Sequence, residues 1–141
     1  MIAVATLVLM VAVWVTAAGV PTATYVPHDK VAAAMVKGGA IIEDQRLRVS
    51  AQRRGTGEAE VHQKISHVFI VVEGEATLVT GGSPVDSRQT APDQLRGSSI
   101  EGGETHHLTK GDVITIPART PHRFKEVPTK TIAGYVVNIE N

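Results

Sequence analysis

The sequence predicts an all-β domain, and three observations lead to that prediction. From residue 40 onward, short runs of aliphatic and β-branched residues alternate with glycine, proline and polar residues, as in short strands joined by turns. One short segment, between the apolar N-terminus and residue 40, has the composition of a helix, so strands dominate the rest of the chain. The chain of 141 residues, shortened to roughly 120 if a leader is removed, suffices for one domain with one core.

The overall composition restricts the partners and the chemistry. Fourteen Lys and Arg residues balance fourteen Asp and Glu residues, so the net charge gives no reason to expect nucleic acid or an anionic membrane as a partner. Cysteine is absent, which excludes disulfides, thiolate nucleophiles and cysteine metal sites. Histidine, aspartate and glutamate remain as strong metal ligands, and we expect the partner to be a small molecule.

The N-terminal segment is strongly apolar. Residues 2–20 contain no charged side chain and end in small residues, which predicts a signal peptide over residues 1–23 and a secreted or periplasmic protein. Cleavage is expected between Ala18 and Ala23. The first lysine is Lys30, so the usual basic n-region is missing. An uncleaved membrane anchor at residues 2–20 and a buried helix are the alternatives, and the protein would contact a membrane only as an anchored form.

Residues 24–39 read as an extension that contains a short helix. Alanines favour a helix over residues 28–36, and Asp29 is placed to cap its start. Gly38 and Gly39 are expected to end it. We expect this helix to pack outside the main domain.

Six runs within the domain predict strands, and two stretches interrupt the pattern. Residues 55–60 and 81–105 are rich in glycine and polar residues and poor in large apolar residues, which predicts loops. The second stretch is long enough to cover a pocket, although a surface excursion without a role explains its composition as well. The six runs are residues 41–42, 47–49, 68–72, 76–79, 113–116 and 132–139.

Two segments of the domain carry a resemblance to a known family. Residues 60–82, EVHQKISHVFIVVEGEATLVTGG, are similar to the first conserved motif of the cupin family, and residues 111–126, GDVITIPARTPHRFKE, are similar to the second. The two motifs occur in the order that the family has. The resemblance implies a small, single-domain, RmlC-like cupin with a double-stranded β-helix, or jelly-roll barrel, over residues 40–141. It also implies a ligand pocket inside the barrel and a homodimer.

Three histidines are the candidate metal ligands. Alternation along a strand puts His62 and Lys64 on one face, and a turn near residues 64–66 would let His67 face the same pocket. His122 lies in the second motif, and the resemblance implies that it completes the ligand set from across the barrel. Three neutral imidazoles suit a divalent iron, manganese, nickel, copper or zinc ion with an open position for water or substrate.

The sequence also departs from the cupin pattern. Lys64 stands where the first motif usually has its second histidine, and His67 stands where it has a glutamate. Arg119 replaces a glycine that permits a positive φ, and Glu126 replaces an asparagine. A lysine beside a dication is repulsive, so Lys64 turns away, is neutral, or binds an anionic ligand in a pocket without metal. The candidates for contact with the pocket or substrate are Lys64, Phe69, His107, Arg119, Phe124 and Glu126.

Three classes of function are compatible with these residues. The first is a metal-dependent dioxygenase, isomerase or lyase that acts on a small polar metabolite, with Glu126 or His107 as a proton relay. The second is a metal-free module that binds a sugar or an organic acid, with Lys64 and Arg119 as charge partners. The third is an accessory domain whose pocket has no function. A basic run at residues 46–54 is compatible with anion binding, and equally with a charged, exposed strand face.

Overall fold

The structure is a computed structural model, and it describes residues 22–141. The predicted leader at residues 1–23 lies outside the described residues except for its last two positions, so it stays a prediction. Within the described range the chain forms one helix, α1 at His28–Lys37, and thirteen strands. The strands are β1 Gly39–Glu43, β2 Leu47–Arg54, β3 Ala59–His62, β4 Ile65–Glu73, β5 Ala76–Thr80, β6 Ser83–Val85, β7 Arg88–Ala91, β8 Gln94–Gly97, β9 Ser99–Glu101, β10 Glu104–Leu108, β11 Val113–Ile116, β12 His122–Glu126 and β13 Ile132–Glu140.

The strands assemble into two large antiparallel sheets and one small one. The first sheet has the order β1-β2-β13-β4-β11, and the second has the order β10-β5-β12-β3-β8-β7. Strands β6 and β9 pair with each other. The chain passes from the second sheet to the first between β3 and β4. Two facing antiparallel sheets with such crossovers form a jelly-roll barrel, so the predicted all-β class is confirmed.

The core lies between the two large sheets, because each contributes alternate side chains to it. Phe69 and Val71 are buried on β4, and Leu78 is fully buried on β5. Removal of these apolar side chains from water is the main force that holds the sheets together. The core cluster comprises Phe69, Val71, Ala76, Leu78, Leu108, Ile116, Ile132 and Val136.

Helix α1 lies outside the barrel, against β1 and β2, and none of its residues is buried. The predicted cap at Asp29 is wrong, because the helix begins one residue earlier and Pro27 occupies the N-cap position without a side-chain hydrogen bond. Asp29 instead lies in the first turn, where a carboxylate interacts favourably with the helix dipole. The helix ends as predicted at Gly38, which has a φ of 75° and donates its N–H to the carbonyl of Ala34.

The six predicted runs all lie within observed strands, but the two predicted loops are partly wrong. Strand β3 begins inside the stretch 55–60, and strands β6 to β10 occupy most of the stretch 81–105. The exposed edge strand β7 has only polar or small side chains, and β6, β8 and β9 are mostly half-buried. The second stretch is therefore part of the barrel wall rather than a loop that covers it.

Among the residues that the structure describes, no helix has both the length and the apolar character needed to cross a membrane.

Candidate metal centre

Three strands bring the predicted histidines together. His62 is the last residue of β3, and His122 is the first residue of β12, which pairs with β3. His67 lies near the start of β4 in the other large sheet. The bend that was expected at residues 64–66 lies at residues 63–64, and it carries the chain from one sheet to the other. His62 and His67 therefore meet across the barrel interior.

The three imidazole rings are close neighbours. The ring centroids of His62 and His67 are 4.7 Å apart, and His122 lies 5.5 Å from the first and 5.4 Å from the second. One nitrogen from each ring lies within 4.8 Å of the other two. Three nitrogen donors from two facing sheets thus share one small region of the barrel.

Hydrogen bonds fix the orientation of two of these rings. Nδ1 of His67 donates to Oδ1 of Asn138 at 2.7 Å, and Nδ1 of His122 donates to the carbonyl of Thr120 at 3.1 Å. Because both acceptors are oxygens without a proton, the two rings carry their proton on Nδ1 and a lone pair on Nε2. Nε2 of His67 is buried and has no hydrogen-bond partner within residues 22–141.

The same two histidines are held in their neutral form. Burial lowers the pKa of His122 to about 4, although the hydrogen bond to Thr120 acts in the opposite direction. Burial also lowers the pKa of His67, against the effect of its hydrogen bond to Asn138. Both imidazoles therefore have free lone pairs at neutral pH, which is the form that binds a metal ion.

Glu60 lies beside the cluster and is buried. Its Oε2 is 3.6 Å from Nε2 of His62 and 3.9 Å from Nε2 of His122, while its Oε1 is 2.8 Å from Arg54 and 3.0 Å from Arg96. Burial raises the pKa of this carboxyl, but the contact with His62 and the charges of Arg54 and Arg96 outweigh burial and lower the pKa to about 2. Glu60 is therefore an anion between the histidines and the two arginines.

The cluster lies at the wall of an open pocket of about 310 Å³. Phe69 and Phe124 are in contact edge to face, with ring centroids 5.7 Å apart, and form an apolar wall. Gln52 and Gln94 add polar groups, and Arg54 belongs to the charged part of the lining. A small molecule with both polar and apolar parts would fit this lining.

Comparison with known proteins establishes the fold. No protein-family model matches the sequence, and no curated protein is significantly similar to it. A Bacillus halodurans protein matches the structure with a TM-score of 0.56 and 16% identity, covering 80% of this chain and 76% of that chain. A cupin superfamily protein of Desulfitobacterium hafniense matches with a TM-score of 0.50 and 14% identity, covering 74% of this chain and 76% of that chain. The plu4264 protein of Photorhabdus luminescens matches with a TM-score of 0.50 and 16% identity, covering 74% of each chain. The chain has the cupin fold.

The histidine group of this cupin barrel could hold a metal ion. The three donor atoms are close enough to bind the same metal ion, and two of the rings are neutral and oriented by oxygen acceptors. Nε2 of His67 is buried without a hydrogen-bond partner among residues 22–141, which fits a metal ligand because buried polar atoms in proteins are normally hydrogen-bonded. The chemistry of the donors does not choose among iron, manganese, nickel, copper and zinc.

Of the six other residues predicted to contact the pocket, two line it in the cupin barrel and four do not. Phe69 and Phe124 line the pocket, whereas Lys64, His107, Arg119 and Glu126 are not among its lining residues. The bend after β3 points Lys64 toward Asp93, where the two side chains form an exposed ion pair at 3.1 Å. Of the three fates considered for Lys64, the structure shows that it turns away from the histidines.

Three predicted candidates lie at other places on the barrel. His107 is exposed on β10, with its Nε2 3.6 Å from Glu75. Glu126 is exposed at the end of β12, past a bulge. Arg119 has a φ of 68°, so the turn keeps the positive φ that a glycine would permit, and its backbone N–H donates to the carbonyl of His62. Arg119 thus contributes through its backbone.

Sequence reasoning missed four residues around the cluster, namely Glu60, Arg54, Arg96 and Asn138. Glu60 had a usable signal, because it lies two positions before His62 and side chains two apart on a strand share a face. Arg54 belonged to the basic run but was not assigned to the pocket. Arg96 and Asn138 had no signal, since they reach the site through strand pairings that the sequence does not show.

Proposed function

We propose that the pocket binds a divalent transition-metal ion through His62, His67 and His122, and that it binds or acts on a small polar metabolite beside that ion. The observation that carries the proposal is the buried Nε2 of His67, which has no hydrogen-bond partner in the described part of the chain, residues 22–141. Leaving such an atom unpaired costs about 1–3 kcal/mol. A cation would give this lone pair a partner.

The surroundings of His67 and His122 favour binding of a metal cation at Nε2 over binding of a proton there. Burial disfavours the protonated forms of His67 and His122, and their Nδ1 protons are already used in hydrogen bonds to Asn138 and Thr120. A metal ligand is usually oriented by such a second hydrogen bond, which also increases the basicity of the coordinating nitrogen.

Glu60 adds a negative charge next to the proposed site. Its Oε2 is within 4 Å of two histidine nitrogens, so a carboxylate oxygen is available as a further ligand. With a pKa of about 2 it is a weak base, so we assign it to charge balance and ligation rather than to proton transfer.

A bound ion of this kind would supply Lewis-acid chemistry at a carbonyl or hydroxyl oxygen, or oxygen chemistry if the ion is iron. The chain's own contribution is to place and shield the ligand. Phe69 and Phe124 exclude water from one wall, and the amides of Gln52 and Gln94 can orient polar groups from another.

The metal-free alternative would use the same pocket for a sugar or an organic acid. Its expected charge partners, Lys64 and Arg119, are not among the lining residues, which weakens that form of the alternative. Arg54 and Arg96 take their place as cations of the pocket.

The test is elemental analysis of the protein purified without a polyhistidine tag or chelator. We expect close to one metal ion per chain in the natural protein, and loss of metal in His62→Ala and His122→Ala. His107→Ala is the matched control, because it removes an exposed histidine outside the pocket and should retain the metal. A natural protein without metal, even after incubation with each candidate ion, would reject the proposal.

Export and dimerisation are separate proposals. We propose that residues 1–23 direct export and are cleaved, which N-terminal sequencing of the protein from a bacterial periplasm or medium would test. A chain that keeps Met1 in the membrane fraction would favour the anchor instead.

The homodimer implied by the resemblance stays a prediction, which the mass of the purified protein in solution can test.

A further inference from the structure

The pocket contains more positive charge than its own carboxylate balances. Arg48, Arg54 and Arg96 line it, and among the described residues Glu60 is the one acidic residue in the same lining. Arg48 is partly neutralised by Glu43 outside the pocket, at 3.1 Å and with both side chains more than half exposed. Arg54 and Arg96 therefore share a single buried carboxylate and leave an excess positive charge beside it.

Because both arginines contact the same oxygen of Glu60, some of their N–H donors remain available. Both guanidinium groups approach the same atom, Oε1 of Glu60, through Nη2 of Arg54 and Nη1 of Arg96. A guanidinium has five N–H donors, and Glu60 is the only acidic partner that either arginine has in the described part of the chain. One arginine would suffice to neutralise Glu60, so the second one is surplus to that structural role.

Arg54 and Arg96 lie where a ligand can contact their unused N–H donors. About a third of each arginine side chain is exposed, 37% for Arg54 and 33% for Arg96, so a ligand can reach both while solvent is partly excluded. A partly desolvated site strengthens attraction between opposite charges relative to open water. Two neighbouring guanidinium groups match the two oxygens of a carboxylate or a phosphate.

We propose that the ligand of this pocket is a small molecule with an oxyanion group, a carboxylate or a phosphate, and that Arg54 and Arg96 bind that group. The inference rests on the proposed function, since it names the ligand class for the same pocket. Glu60 contacts the arginines with one oxygen and approaches the histidines with the other. An oxyanion at the arginines would consequently place the adjoining atoms of the ligand near the histidine cluster.

The first test uses metal-free protein, so that it does not depend on the metal. Backbone amide signals are followed by nuclear magnetic resonance during titration with succinate, inorganic phosphate and neutral succinamide at low salt. We expect saturable shifts at pocket residues such as Gln94 with at least one of the two anions, weakened by added salt, and none with succinamide. A response to succinate alone assigns a carboxylate ligand, and a response to phosphate alone assigns a phosphate ligand. No response to either anion overturns the proposal.

Variants then locate the binding group. We expect Arg96→Gln to weaken anion binding by at least about tenfold, Arg96→Lys to weaken it less, and Glu60→Gln to strengthen it by removing the competing carboxylate. Arg88→Gln is the matched control, because Arg88 lies on neighbouring β7 and pairs with Glu58 outside the pocket. Anion binding that is unchanged in both Arg96→Gln and Arg54→Gln would overturn the proposal. Anion binding in a protein that never takes up metal would reject the metal site and retain this inference.

Discussion

Asn138 accepts a hydrogen bond from Nδ1 of His67 at 2.7 Å, although the two residues are 71 positions apart in sequence. They are directly opposite each other in the pairing of β4 with β13, so their side chains project from the same face of the sheet. The amide oxygen holds the ring with its Nε2 in the barrel interior, where that atom has no partner within residues 22–141. The sheet register therefore sets the orientation of a candidate metal ligand.

This contact predicts that Asn138→Leu weakens metal binding by about 10–100-fold, the usual effect of losing a residue that orients a ligand. Leucine cannot accept the Nδ1 proton, so the ring loses both its orientation and its added basicity. Asn138→Asp keeps the oxygen acceptor and should retain most of the affinity. Competition with a chromophoric zinc chelator measures the dissociation constants. Equal affinity in Asn138→Leu and the natural protein would contradict a positioning role for Asn138.

The metal-free protein should lose stability between about pH 6.5 and pH 4. The pKa of His122 is lowered to about 4 in the folded protein, whereas an unfolded chain titrates near 6.5, so acid protonates the unfolded state first. His67 is shifted in the same direction, and Glu60 extends the loss of stability below pH 4.5 because its folded pKa is about 2. His122 alone should contribute on the order of 3 kcal/mol over its range.

Denaturant unfolding at a series of pH values measures this effect. His122→Phe replaces the buried imidazole with a ring that does not titrate, so the slope of the unfolding free energy against pH should decrease between pH 6.5 and pH 4. His107→Ala should keep the natural slope, since His107 is exposed. A natural protein with equal stability at pH 7 and pH 4.5 would show that these histidines are not buried in neutral form.

The strands that could be predicted from the sequence are those with long apolar runs. β4 and β13 are such strands, and they form the centre of the first sheet together with β2. Strands β6 to β10 are short and contain few apolar residues, so composition did not predict them, and the edge strand β7 has no buried residue at all. Strand β7 pairs with its neighbour β8 in a local hairpin, whereas β8 also pairs with β3 and β10 pairs with β5. Local sequence does not encode these last two pairings.

The site residues also divide into those that local sequence predicts and those that depend on strand pairing. His62 and His122 were predicted from motifs, and the structure brings both together with His67. Glu60 is encoded locally by its two-residue spacing from His62, so closer attention to strand alternation would have found it. Arg96 could not be found in that way, because it reaches Glu60 only through the antiparallel register of β8 with β3. For Lys64, the bend at residues 63–64 ends the strand alternation on which its prediction rested, and its side chain pairs with Asp93.

Gly134→Ala should destabilise the barrel by about 1–3 kcal/mol, the usual cost of overpacking a core. A Cβ on Gly134 would collide with the carbonyl oxygen of Ile70 and the ring of Phe69. Phe69 also lines the pocket, so ligand or metal affinity should change along with stability. Gly57→Ala is the matched control, because no heavy atom lies within 4 Å of a Cβ built there. Thermal unfolding of both variants measures the difference, and equal melting temperatures would contradict the close approach of β13 to β4.

Arg119→Gly should raise the free energy of unfolding by about 0.5–1 kcal/mol without changing metal content. Arg119 has a φ of 68°, a conformation that costs energy for any residue with a Cβ, and glycine would remove that cost while keeping the N–H that binds the carbonyl of His62. Lys130→Gly is the matched control, since Lys130 has a φ of 67° at a turn outside the pocket and should give a similar gain. Arg119→Pro removes both the N–H and the positive φ, so it should destabilise the turn and lower metal affinity through His62. Denaturant unfolding and metal titration separate the two roles. If Arg119→Gly lost metal or anion binding while remaining folded, the guanidinium itself would act in the pocket, and its contribution would not be confined to the backbone.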